Sequence, residues 1–135
     1  MSQNPPWQTI AQIAQQHRDA TLAQIEPPIP DIDPLPLDST NVAKTLLTPD
    51  ELSITEADPV DLISKLSSQR LTATEVVKAF LRRAALAQKL TNCITELLPD
   101  RAIERAAQLD AYIQEHGKPM GPLHGLPISV KEHSA

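Results

Sequence analysis

Nine of the thirteen prolines in this 135-residue chain lie between Pro5 and Pro59. Each fixes its own φ near −65°, lacks a backbone donor, and pushes the residue before it away from helical angles. Regular structure in this half must therefore fit between prolines. Trp7 to Ile25 is a long proline-free interval, and Ile10, Ile13, Ala14, Leu22 and Ile25 fall on one stripe of a helix rich in Gln and Ala. A peripheral helix is predicted there, ending before Pro27-Pro28. From Ile29 to Leu37 proline alternates with Asp, Ile and Leu, which predicts an extended strap that must lie on some surface to hide its apolar side chains.

Past the strap, proline becomes a helix starter. Thr48-Pro49-Asp50-Glu51 combines a threonine cap, a proline at the first helical position and a glutamate three residues on, the pattern of a capping box. Asp58-Pro59 starts another helix carrying Val60, Leu62, Ile63 and Leu66, ending near Ser67-Ser68. Thr72-Ala73-Thr74-Glu75 is a second capping box. It opens a longer helix with Val76, Val77, Phe80, Leu81 and Ala84 on its buried side, and Arg82, Arg83 and Lys89 toward the end where the dipole favours cations. Cys93 to Leu97 predicts a short strand, and Pro99-Asp100 starts a helix with Ala102, Ala106, Leu109 and Ile113 inward, closed by Gly117. The order helix, strap, helix, helix, strand, helix, loop, strand predicts an α/β fold class that is mostly helical over this length. Residues 1–47 form an N-terminal helix and strap, and residues 48–135 the start of a second, larger unit.

The last chemically informative stretch is Gly121-Pro122-Leu123-His124-Gly125-Leu126-Pro127-Ile128-Ser129-Val130-Lys131. Two glycines and two prolines set the path of a loop. Ile128 and Val130 alternate with Ser129 and Lys131, so a buried strand would carry Ser129 and Lys131 on the face opposite its apolar side chains. A lysine placed this way is an edge-strand cation or an active-site base. The local pattern does not choose between them.

Composition removes several classes. The formal charge of −5 is concentrated in residues 1 to 53, which hold two basic and seven acidic side chains, while residues 54 to 135 hold ten of each. With no basic face and only Trp7, Phe80 and Tyr112 as aromatics, neither nucleic acid nor an anionic membrane surface is an expected partner. No apolar stretch approaches the roughly 18 residues of a membrane span, and no basic leader precedes an apolar run. One cysteine, Cys93, cannot form an internal disulfide; beside Ile94 it reads as a small buried apolar side chain. A soluble, cytoplasmic protein is expected. His116, His124 and His133 have spacings of eight and nine residues around a proline-rich loop, which match no compact zinc pattern, and no metal or cofactor is expected. His124 is expected to pack against the loop backbone, Arg82 and Arg83 to form a solvated helix face, and Gly121 and Gly125 make no phosphate loop.

Taken together, GPLHGLPISVKEH, Ser53 to Glu56, Leu71 to Val77, Arg82 to Ala85, Thr91 to Glu96 and Ala106 to Asp110 resemble, in order and spacing, the amidase signature hydrolases, and within them the fungal acetamidase-like amidases. The resemblance covers about residues 50 to 133, and Trp7 to Leu37 more loosely. It implies a mixed sheet surrounded by helices and hydrolysis of the C–N bond of small carboxamides, giving a carboxylate and ammonia or an amine through a Ser-cisSer-Lys triad. Lys131 matches the family lysine, a base that acts through a bridging serine and later returns a proton to the departing amine. Such a lysine must be substantially neutral near pH 7 although free lysine titrates near ~10.4; burial and hydrogen bonding to hydroxyls must supply about 4 kcal/mol.

The chain departs from the family in one decisive respect. The Ser- and Gly-rich segment that would carry both serines and the oxyanion-hole amides does not follow Lys131, and neither Ser129 nor Ser134 sits in a glycine-rich turn. Glu132 stands where many members have aspartate. The expectation is therefore an N-terminal fragment that is inactive alone, with a small amide as the substrate of the whole enzyme. The alternative is a non-catalytic interaction module docking on a full-length relative or on its own copies. Family members that amidate misacylated transfer RNA or cleave fatty-acid amides find no support in this charge balance or hydropathy.

Overall fold

The computed structural model describes residues 5–131; Met1 to Asn4 and Glu132 to Ala135 lie outside the described residues, and with them the readings placed on Glu132, His133 and Ser134. Among the described residues six helices follow one another: α1 (Trp7–Leu22), α2 (Val42–Leu46), α3 (Pro49–Thr55), α4 (Pro59–Ser67), α5 (Ala73–Thr91) and α6 (Pro99–His116). The starts fall where sequence chemistry puts them. Thr48 and Thr72 form complete capping boxes with Glu51 and Glu75, the Asp58 carboxylate accepts from the Val60 amide at 2.9 Å, and Gly117 closes α6 at φ +67°.

Helix α5 is the axis of the molecule and packs against α3 and α6. Its first half, through Val76, Val77 and Ala79, joins Ile54, Leu62, Leu66 and Ala106 in one apolar cluster. Its second half, through Ala85 and Leu86, meets Ile25 just past α1, Ile29 of the strap, and Ala43 and Leu47 around α2 in another. The strap therefore finds its surface on α5. Ile29 is buried, and Lys89 of α5 donates to Asp31 at 2.6 Å, while Leu35 and Leu37 stay exposed.

The stripe predicted from Ile10 to Ile25 is met at one end only: Leu22, the last residue of α1, and Ile25 just past it pack on the second cluster, whereas Ile10 and Ile13 are more than half exposed. The helix is held by its C-terminal end, where Thr21 is buried and the His17 ring meets Glu96 at 2.6 Å.

Neither expected strand forms among the described residues. From Asn92 to Leu98 the chain is irregular, leaving α5 at a left-handed Asn92, φ +51°. A strand needs a neighbour to receive its backbone groups. Here side chains take that place: the buried Gln88 accepts from the Ile94 amide at 2.6 Å, and Thr21 accepts from the Leu97 amide at 3.1 Å. Cys93, expected to be buried in that strand, is exposed. The α/β expectation is met on its helical side only.

A contact that spans the two long helices anchors the start of α5. Asp110, in the middle of α6, accepts from the Ala73 amide at 2.6 Å, the Thr74 amide at 3.0 Å and the Thr74 hydroxyl at 2.6 Å. It caps from another helix the amides that an α-helix leaves unpaired at its first turn. Asp110→Ala should cost about 2 kcal/mol, the scale of a charged acceptor lost to several donors, read as a lower denaturation midpoint by circular dichroism. Asp110→Asn, which keeps one acceptor oxygen, should recover part of it; an unchanged midpoint in both variants would remove Asp110 from the account.

Candidate functional site

The segment that leads to Lys131 begins at the end of α6. Gly117 caps the helix, and the chain turns through Met120 to Leu126 with the His124 amide donating to the Gly121 carbonyl and the Leu126 amide to the Leu123 carbonyl, both at 3.2 Å. His124 is 5% exposed, and its Nδ1 accepts from the Met120 amide at 3.1 Å, so the ring packs on the loop backbone as the sequence suggested. Gly125, at φ +77°, seats the loop on the protein. A Cβ built there would lie 3.0 Å from Ala73 Cβ and 3.0 Å from Leu66 Cδ2, so the backbone lies flat on the start of α5 and the end of α4.

Gly125→Ala should therefore destabilise by about 2 to 4 kcal/mol, the sum of a left-handed backbone penalty and close contact in a packed site. Gly117→Ala isolates the first term, since φ is +67° there but nothing lies within 4 Å of the added Cβ; its cost should be about 1 to 2 kcal/mol. Equal losses in denaturant melts would mean that the close approach at Gly125 carries no energy.

Beyond Gly125 the character changes within two residues. Leu126 packs against the core cluster, Pro127 is half-buried, and Ile128, Ser129, Val130 and Lys131 are exposed. The expected buried strand with Lys131 on its functional face is an exposed arm without regular secondary structure. A strand is stabilised by its neighbours, and no described residue pairs with this one. Lys131 has no ion-pair partner among the described residues, and Ser129 makes no side-chain hydrogen bond there.

Two hollows mark the surface. One of about 140 Å³ lies between α4, α5 and α6, lined by His124, Asp110, Thr72 and Leu66. A more open one of about 530 Å³ lies between α1, the strap and α5, where Arg18, Asp31 and Lys89 meet Leu22 and Ile29. Lys131 lines neither. Among the described residues no group of three or more His, Cys, Asp or Glu side chains is gathered to hold a metal ion. His116 instead stacks on Tyr112, ring centroids 4.1 Å apart. No described helix is long and apolar enough to cross a membrane.

Arg82 was expected on a solvated face and is instead 7% exposed. Its Nη1 donates to both Glu51 carboxylate oxygens at 2.6 and 2.7 Å, and its Nη2 to the Leu46 carbonyl at 3.3 Å. Arg83 fits the expectation better, with a surface contact to Glu56 at 3.2 Å. The only sequence trace of the buried pair was Glu51 in its capping box; nothing local announced a cation 31 residues away.

Comparison with known proteins points to a class. Residues 75–135 match the amidase family model, and over the part that it spans the chain is similar to members of that family. It is 54% identical over 87 residues to the acetamidase of Emericella nidulans, an alignment covering 64% of this chain and 16% of that one. It is 42% identical over 134 residues to a predicted amidase of Schizosaccharomyces pombe, covering 94% and 24%. Among solved structures it is similar to fatty acid amide hydrolase, with a TM-score of 0.68 and 35% identity over 90% of this chain and 25% of that one. The chain thus spans about a quarter or less of the length of the relatives it matches.

Proposed function

We propose that this chain supplies the N-terminal helical flank of an amidase that hydrolyses small carboxamides, and that Lys131 is its general base and acid. The carrying observation is that one ordered loop, seated on the helices by His124 and Gly125, leads directly into the exposed arm that presents Lys131. Similarity to an acetamidase supports a small amide as substrate.

In this reading the arm becomes a strand of a mixed sheet built with downstream residues. Ile128 and Val130 are then covered, and Lys131 is enclosed beside a bridging and a nucleophilic serine. Burial lowers the cost of the neutral amine, which takes the nucleophile's proton through the bridging hydroxyl and returns a proton to the leaving nitrogen. Residues 1–47 act as a helix and strap bracing the catalytic unit that begins at residue 48. The location is the cytoplasm, with no nucleic acid or membrane partner.

The test is ammonia release from acetamide by the 135-residue chain alone and by the protein that also carries the downstream serine-containing segment. Release is expected from the second only. Hydrolysis by the chain alone would overturn the division of labour. A second reading, in which the chain docks without catalysis on a full-length relative, draws on the exposed Ile128 and Val130; it requires a stable complex between the purified chain and such an amidase.

A further inference from the structure

We propose that His124 is a positioning residue for the segment that carries Lys131, acting through the neutral ring tautomer with its proton on Nε2. The proposal rests on the catalytic reading of Lys131 for its purpose, but not for its geometry.

An amide N–H can only donate, so the Met120 amide at 3.1 Å requires a bare lone pair on Nδ1. The ring proton must then sit on Nε2. The bond closes a turn that already has the His124 amide on the Gly121 carbonyl, and the ring doing so is 5% exposed, wedged beside a hollow lined by Asp110, Thr72, Leu66 and Ile113. His124 and Gly125 are also the last two fully buried residues before Lys131. Residues 126 to 131 are half-buried or exposed, so the direction in which the arm leaves is set at this pair.

The arm magnifies any error. Lys131 lies six residues past Gly125, a reach of about 20 Å at full extension, over which a rotation of about 10° at its root moves the lysine by about 3.5 Å. Proton transfer requires hydrogen-bond reach, and a misplacement of about 1 Å can cost on the order of 100-fold in rate. A hydrogen-bond acceptor at the Nδ1 position is therefore the requirement. Asparagine offers one at nearly the same place, and leucine does not.

The experiment uses the 135-residue chain and no activity assay, so its outcome is separate from that of the amidase reading. Long-range nitrogen correlations on the ring should show Nε2 protonated and Nδ1 bare; the opposite tautomer would overturn the proposal whether or not any variant folds. His124→Leu should speed hydrogen exchange at the Met120 amide by about fivefold or more, while His124→Asn restores it; equal exchange in the leucine variant and the parent overturns it. Spin labels at Ile128→Cys and Glu104→Cys, in a Cys93→Ser background, report the direction of the arm. Ile128 lies about half-way along the arm, so their distance distribution should shift or broaden by about 2 Å in His124→Leu and return in His124→Asn. A distribution indifferent to both substitutions means that His124 holds the turn without aiming the lysine, and sinks the positioning role.

Discussion

In the protein that carries the downstream serine segment, Lys131→Met should lower kcat for acetamide hydrolysis by about 10²- to 10⁴-fold, the range that a positioned general acid–base contributes. KM should change little. The long apolar stem is kept and only the titrating nitrogen is lost, so substrate binding is not the interaction removed. Lys131→Arg should be as inactive as Lys131→Met, because a guanidinium holds its proton at any working pH and cannot serve as a base. Ser129→Ala, one pleat position from Ile128, should retain most activity. In the 135-residue chain all three substitutions should leave the helical fold untouched, since both side chains are exposed there. If Lys131→Met keeps parental kcat, the base lies elsewhere and the central assignment fails.

Arg82→Leu should destabilise the helical unit by about 3 kcal/mol, followed by far-ultraviolet circular dichroism rather than tryptophan fluorescence, because Trp7 is 72% exposed and reports little. The reason is what the substitution leaves behind. Glu51 is only 16% exposed at its side chain, and without Arg82 its carboxylate keeps a partial desolvation cost while losing the two short bonds that offset it. The estimate sits at the low end of the range for broken buried pairs because Glu51 retains some water and the Thr48 amide, at 2.7 Å. Arg82→Leu combined with Glu51→Leu should recover much of the loss, since an apolar pair of similar volume replaces a buried ionic one at small net cost. A double variant no better than the single would show that the loss lies in α5 packing instead.

The same pair makes stability depend on acid. Burial pushes the Glu51 carboxyl up, but the Thr48 amide and the Arg82 guanidinium outweigh it and hold the group below the ordinary carboxylate range. A carboxyl whose pKa is lower folded than unfolded contributes its full stability above the unfolded value, near 4.5, and loses it as pH falls through the lower folded value. The unfolding midpoint should therefore drop more steeply below about pH 4.5 in the parent than in Glu51→Gln. Parallel pH profiles would refute the linkage.

Helix starts were legible in the sequence because capping is a local interaction. A threonine or aspartate cap followed by a proline, a glutamate or both deals with the first free amides whatever the rest of the chain does, and α3, α4 and α5 begin where those residues say. The inward faces of α5 and α6 were legible for a related reason, since periodicity needs only one partner surface and each helix provides it for the other. The strands at Cys93 to Leu97 and Ile128 to Lys131 were misread for the opposite reason. Alternation states that a segment could pair, but pairing is a property of two segments, and Gln88 and Thr21 had already taken the amides of Ile94 and Leu97. The α1 stripe is the same lesson, since Leu22 and Ile25 find the core while Ile10 and Ile13, on the same face, meet nothing among the described residues.

By itself, the sequence determined where α3, α4, α5 and α6 start, the glycine turn ahead of Lys131 and the family resemblance carried by GPLHGLPISVKEH, because each depends on residues within a few positions of one another, whereas α2 and the end of α1 at Leu22 were not read from it. Only the tertiary structure decided that Arg82 is buried on Glu51, that Asp110 caps α5 from another helix and that Gly125 lies against Ala73. Those contacts join residues tens of positions apart, and their existence depends on which helix faces pack together, which no local pattern records. Lys131 belongs to both accounts: sequence marks it by kind and spacing, whereas the arm that holds it takes its direction from the buried His124 and Gly125 at its root.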